Sequence, residues 1–144
     1  MKATDRTRAA ALEDLPNVGT LIAGDLRRIG IHAPQALAGR DPYALYDTLN
    51  RVSGVRHDPC VLDTFIAAVR FANGGPRQPW WAFTAERKRV LQARQRLFQS
   101  QTDYARSRYD YLLNVLRLQQ AAGTLDRKGL DDINTILSEN VSVR

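Results

Sequence analysis

The chain has 144 residues, 44% of them hydrophobic and 25% charged, and a formal net charge of +6. That length suits one ordinary domain or two small ones, and the composition excludes a globally disordered chain. The positive charge favours an anionic partner, yet it divides as +3 over residues 1–88 and +3 over residues 89–144, with no dense basic tail.

In chain order, Asp5 to Asp14 reads as a short helix with Ala10, Leu12 and Leu15 facing inward. Pro16-Asn17-Val18-Gly19 follows as a turn, because proline cannot continue a helix and Gly19 suits a sharp bend. Thr20 to Ile29 reads as a second helix, with Leu21, Ile22, Leu26 and Ile29 on one face and Gly30 ending it. Pro34 leads into a short helical piece that stops at Gly39. Asp41-Pro42 is a cap followed by proline at the first helical position, and Tyr43, Leu45, Tyr46, Leu49 and Val52 give that helix an apolar face. Asp58-Pro59 repeats this start, and Leu62, Phe65, Ile66 and Val69 form the inward stripe of the next helix. Val52-Ser53-Gly54-Val55 resembles a worn second hairpin turn, and two hairpins sharing a core would make a compact five-helix unit. No run alternates as a strand would.

The layout hydrophobic-x-x-Leu-Pro-x-Val-Gly, followed by Ala23, Leu26 and Gly30, resembles the helix-hairpin-helix motif. That resemblance implies binding to nucleic-acid backbones without sequence readout. The N–H groups of Val18, Gly19 and Thr20 would stand at a helix N-terminus, where free donors and the positive dipole end suit a phosphate. Arg27, Arg28 and Lys2 are candidate auxiliary charges. The plain alternative is a turn that only packs two helices or binds a protein. Farther on, DP-x-x-LY at Asp41 to Tyr46, DPCVL at Asp58 to Leu62, the A-V-x-F-A ending at Ala72 and the paired Trp80-Trp81 resemble the pathogenicity-locus family of small bacterial helix-hairpin-helix proteins. With the first hairpin, this resemblance covers roughly residues 10 to 88. DNA binding in that family rests largely on the motif.

Asn73 to Pro79 is a breaker-rich linker. Trp80, Trp81 and Phe83 follow it, and three such aromatics after a loop are expected to dock onto a core; an exposed platform for bases is the alternative.

From Thr84 to Ala122 neither proline nor glycine interrupts the chain, with Thr84 as the starting cap and Gly123 as the stop. A helix over that span would be roughly 58 Å long at 1.5 Å per residue. Val90, Leu97, Tyr104, Tyr111 and Leu118 recur every seven residues, with Leu91, Phe98, Ala105 and Leu112 in the next column. Such a seam calls for burial against other helices, although Arg94, Gln101 and Arg108 spoil a plain two-stranded zipper. The run Ala-Arg-x-Arg-Tyr-Asp-Tyr-Leu-Leu-Asn from Ala105 to Asn114, then Leu116-Arg-Leu and Ala121 to Leu125, resembles the C-terminal end of TolC-type outer-membrane efflux proteins. In that family the segment is the last long helix of a trimeric periplasmic barrel, followed by a short helix like Leu130 to Leu137. The family's membrane strands and other helices are absent from these residues, so a pore built by them alone is not expected. A hairpin protein running into an efflux-protein tail is the pattern of a fused or misassembled reading frame; a genuine fusion whose helix serves oligomerisation is the alternative.

Nothing in the sequence assembles a catalytic centre. His32 and His57 are the only histidines, without zinc-ligand spacing, and neither a P-loop nor a dinucleotide glycine pattern occurs. The single cysteine, Cys60, excludes an internal disulfide and is expected as a small buried residue rather than a nucleophile. Asp126, Asp131 and Asp132 are expected as solvated helix-end carboxylates. Residues 1–15 lack a signal-peptide pattern, and no apolar run approaches the about 20 residues of a membrane helix. These residues therefore imply a non-catalytic, cytoplasmic, all-α protein: a helix-hairpin-helix domain over 1–83, then a long heptad-patterned helix and a short terminal helix over 84–144. No cofactor or metal is expected. DNA, through its phosphate backbone, is the expected partner, with homo-oligomers or a helical protein partner through 84–122 as a further expectation.

Overall fold

A computed structural model describes the backbone of residues 6–139 and the side chains of residues 7–136. Five α-helices are present among them: α1 (Thr20–Arg28), α2 (Pro42–Ser53), α3 (Pro59–Ala72), α4 (Thr84–Ala121) and α5 (Arg127–Glu139). Short 3-10 turns at Arg6–Arg8, Leu12–Asp14, Pro34–Leu37 and Trp80–Phe83 complete the order. No strand occurs among the described residues. The all-α reading holds.

The chain forms two compact units, residues 1–92 and 93–144, which part within α4. In the first unit, α3 is the central element. Every residue from Leu62 to Val69 is buried, and Phe71 and Ala72 with them. Around α3 gather Leu12, Leu15 and Val18 from the N-terminal segment, Ala23 and Leu26 from α1, Leu37, then Tyr43, Leu45, Tyr46 and Leu49 from α2, and Phe83. Both Asp-Pro starts form as expected. Asp41 accepts from the Tyr43 N–H at 2.9 Å and Asp58 from the Cys60 N–H at 2.7 Å, each with proline in the first turn.

Several expectations give way. The N-terminal arm is two 3-10 turns rather than one helix, because the Asp14 carboxylate accepts from the N–H groups of Ala10 and Ala11 and holds the chain extended there. Ala9, not Ala10, faces the core. The start expected at Asp5 lies outside the described residues. On α1, Leu21 is 85% exposed. At about 100° per residue it stands roughly 140° from the buried Leu26, whereas Ala23, Ile22 and Ile29 all lie within about 60° of Leu26. Val52, at the last turn of α2, is also exposed. Val52 and Ser53 belong to α2, and Gly54 takes the left-handed conformation that ends it. The α2–α3 connection is tied around His57, whose N–H donates to Asn50 Oδ1 at 2.8 Å, whose carbonyl accepts from the Tyr46 hydroxyl, and whose Nε2 lies 2.9 Å from Ser53 Oγ.

The interaction that seats α4 lies inside this unit. Asp63 is fully buried on α3, and its carboxylate meets Arg87 Nε at 2.7 Å and the Thr84 hydroxyl at 2.8 Å. Thr84, expected as a cap, thus spends its hydroxyl on Asp63, and α4 grows directly out of the Trp80–Phe83 turn. Val90 packs against the core from the next turns. The helix therefore belongs to the first unit well past Phe83, where the sequence reading places the boundary.

In the second unit, α4 runs to Ala121 and Gly123 takes the left-handed conformation at φ +68°, as the stop requires. Asp126 accepts from the Gly129 N–H at 2.8 Å and so starts α5. No helix among the described residues is long and apolar enough to cross a membrane.

Breaking a buried ion pair by removing one partner leaves the other charge uncompensated. Asp63→Ala is expected to destabilise the first unit by about 3–5 kcal/mol, read as a lower urea midpoint. The paired Asp63→Leu/Arg87→Met variant should recover most of that loss. Equal midpoints for Asp63→Ala and the native chain would show that the pair does not hold α4 in place.

Candidate nucleic-acid interface

The turn between Leu15 and Val18 closes through the Val18 N–H, which donates to the Leu15 carbonyl at 3.3 Å. Pro16 is its second residue and Asn17, at φ +64°, its third, the residue order of a type II turn. The left-handed residue is therefore Asn17, whose type tolerates it, and not Gly19, whose φ of −96° any residue can adopt. Leu15, Pro16 and Val18 are buried beneath the turn. The Asn17 side chain reaches outward and donates to the Gln78 carbonyl at 2.8 Å, tying the turn to the 73–79 loop.

The predicted phosphate donors consequently separate. Val18 is removed, since its N–H is spent inside the turn and its side chain is buried. Gly19 and Thr20 are exposed, and Gly19 is the N-cap of α1 without a side chain to occupy the free N–H groups behind it. No acidic residue stands in the first turn of α1. A Cβ built on Gly19 meets no atom within 4 Å, so neither Trp80 nor Trp81 covers this position.

Arg27 and Arg28 occupy the last turn of α1, at the opposite end from Gly19 and Thr20. At 1.5 Å per residue that is roughly 10–12 Å along the axis. Arg27 is engaged there, with Nη2 2.7 Å from Glu13 Oε1, and this hydrogen-bonded guanidinium holds the Glu13 carboxyl below its ordinary range. Their charge favours the helix C-terminus rather than the donors at its start. Lys2 lies outside the described residues.

Cys60 also departs from expectation. It is exposed, because it sits in the first turn of α3, ahead of the buried stretch that opens at Leu62. Hydrogen bonding to Asp58 pushes its thiol up, and burial and the Asp58 charge act in the same direction, so the thiolate is disfavoured. No group of three or more metal-ligating side chains comes together among the described residues.

Of the seam residues, Leu112 is buried and Val90 is half-buried, the latter against the first unit. Leu91, Leu97, Phe98, Tyr104, Tyr111 and Leu118 are exposed on the chain as it stands, Phe98 and Leu118 each to 70%. Tyr104 carries the Arg108 guanidinium 5.9 Å from its ring centroid.

Residues 5–89 match the family model described as "Pathogenicity locus". The chain belongs to the pathogenicity-locus family. Within the curated proteins it is 48% identical over 80 residues to the mitomycin resistance protein McrB of Streptomyces lavendulae, an alignment covering 56% of this chain and 76% of that one. A second similarity lies elsewhere in kind: 44% identity over 45 residues to the outer membrane protein TolC of Vibrio cholerae, covering 31% of this chain and only 10% of TolC. No solved structure matches. The pathogenicity-locus match ends at residue 89, close to where the first compact unit ends at residue 92.

Because Asp58 is the main cause of the raised Cys60 thiol, alkylation of Cys60 by iodoacetamide should show a pH midpoint above that of a free cysteine. Asp58→Asn keeps a capping side chain and removes the charge, so it should move that midpoint down. An unshifted midpoint would rule out Asp58 as the cause.

Proposed function

We propose that this pathogenicity-locus protein is a non-catalytic, cytoplasmic nucleic-acid-binding protein that holds a backbone phosphate at the start of α1, the hairpin acting in the manner of a helix-hairpin-helix motif. The observation that carries the reading is the uncapped helix start: exposed N–H groups from Gly19 and Thr20 onward, a glycine cap that leaves them open, and no carboxylate in the first turn to compete. The net charge of +6 supports it by drawing the chain toward an anionic polymer. Contacts made by backbone groups carry no base information, so the binding is indifferent to sequence. With Val18 withdrawn and Arg27 and Arg28 at the far end of α1, a single such contact is weak. The Streptomyces relative is named for mitomycin resistance, and a role in tolerating that drug forms part of this proposal.

The test is direct because Gly19 has room for a side chain and an ordinary backbone conformation. Gly19→Glu places a carboxylate among the donors without disturbing the fold. It should lower affinity for a fluorescent duplex at least about tenfold at low salt, with an unchanged melting temperature. For the native chain, affinity should fall linearly in log–log form with salt, and equally for unrelated duplex sequences. Duplex binding that survives Gly19→Glu would place the contact elsewhere.

A second reading concerns α4. Leu97, Phe98, Tyr104, Tyr111 and Leu118 leave a heptad seam open to water, which favours self-association through residues 84–122. Light scattering of the full chain should then report an assembly that Leu97→Asp combined with Phe98→Asp returns to monomer. A strict monomer at high concentration would end this reading. An efflux-channel role has no support beyond the tenth of TolC that the chain matches.

A further inference from the structure

The Trp80–Phe83 turn does not dock as three aromatics after a loop are expected to. Phe83 is buried and Trp80 half-buried, but Trp81 is 63% exposed. It is not loosely held. Trp80 braces it in an edge-to-face pair, ring centroids 5.7 Å apart at 84°, and the turn runs straight into the helix anchored by Asp63. An indole of this kind is pre-positioned with much of its surface still open to water, an arrangement that folding alone does not require.

Its surroundings are cationic. Ala85, Lys88, Arg89 and Gln92 are exposed positions that recur at steps of three and four, so they share one stripe of the first turns of α4, and Trp81 stands exposed in the turn that leads into it. Arg77 stands exposed just ahead of them in the loop. Between Arg77 and Gln92 the only carboxylate is Glu86, and Arg70 holds it at 2.9 Å. The remaining cation, Arg87, is turned inward to Asp63. This leaves an exposed indole with Arg77, Lys88 and Arg89 close to it along the chain, and the one carboxylate of residues 77–92 already paired. The Asn17–Gln78 hydrogen bond ties the same loop to the turn that presents Gly19.

We infer that the Trp81 turn and this stripe form a binding surface for single-stranded or locally unpaired nucleic acid, in which Trp81 stacks on an exposed base while Arg77, Lys88 and Arg89 follow the phosphates. The inference rests on the nucleic-acid reading above and specifies the form of the partner. Stacking needs a base with a free face, which an intact duplex does not offer along its length, whereas every unstacked base has one and sequence matters little. Cations alone would suit any anion; the fixed, exposed indole selects for bases.

The experiment uses the full chain with a fluorescent oligothymidine and a duplex of equal length, each across a salt series. The native chain should bind the single strand about tenfold more tightly than the duplex, with quenching of tryptophan emission. Trp81→Ala should remove that preference and leave duplex affinity within about twofold, while Trp81→Phe should restore part of it. Lys88→Gln with Arg89→Gln should reduce the log–log salt slope on the single strand by about 1.4. The melting temperature, expected unchanged, confirms that the variants fold. Gly19→Glu separates the two claims: loss of duplex binding with the Trp81-dependent preference intact supports both. Equal affinity for strand and duplex, unaffected by Trp81→Ala, would overturn this inference while leaving the hairpin reading in place. No binding to either nucleic acid at low salt would overturn both.

Discussion

A carboxylate with no access to water is tenable only where its charge is met on the spot, and in this protein Asp63 is met by Arg87 and Thr84. The arrangement fixes more than one contact. Asp63 belongs to the central helix α3, and both its partners belong to the first turn of α4, so the pair sets where the helix begins and how its first turns face the core. With Thr84 and Arg87 turned inward, Ala85, Lys88 and Arg89 are left outward, and the Trp80–Phe83 turn is held against α3 between the 73–79 loop and α4. The exposed stripe that the Trp81 turn leads into is in this sense the reverse side of a buried ion pair.

The N-terminal side of the same unit works by a different economy, in which polar groups are satisfied one by one in the backbone. Asp14 takes two N–H groups before the 3-10 turn, Val18 closes the turn onto Leu15, and Asn17 reaches across to Gln78. What is left over is the start of α1, where a glycine cap satisfies nothing. Both surfaces proposed to bind nucleic acid are therefore places where the surrounding chemistry is complete and one kind of group remains available: amide donors at Gly19 and Thr20, an indole face at Trp81.

Much of this could be read from the sequence where local rules decide the outcome. The two Asp-Pro starts, the stops at Gly30 and Gly123, the α3 stripe and the absence of strands among the described residues all follow from capping, backbone freedom and periodicity, which act over a few residues. The failures share a cause of longer range. Leu21 satisfies a three-and-four spacing, but a nine-residue helix packs through whichever arc its neighbours offer, and here that arc centres on Leu26. Asn17 rather than Gly19 takes the positive φ because the turn is built around Pro16 and gains a partner in Gln78, distant in sequence. Asp63 was invisible among the apolar residues of α3, since a charged residue in a buried stripe ordinarily reads as an error in the period; the signal that could have found it is Arg87 and Thr84 at the next helix start. Trp81 and Cys60 were assigned to the interior by residue type, and only the geometry of a 3-10 turn and of a first helical turn puts them outside.

The passage from the first unit to the second takes place inside α4, without a linker. The costly event in making a helix is ordering its first turn, after which each further residue adds a hydrogen bond for a small loss of freedom. In this chain that first turn is already ordered by Asp63 and by the packing of Val90. Residues beyond Gln92 therefore inherit a nucleus they did not have to form. A tail of unrelated ancestry, joined at this point, becomes helical provided that it contains no early breaker, and α4 contains neither proline nor glycine. The start of α4 is therefore a graft-accepting site, from which a helical segment of any origin can continue without a break in the backbone.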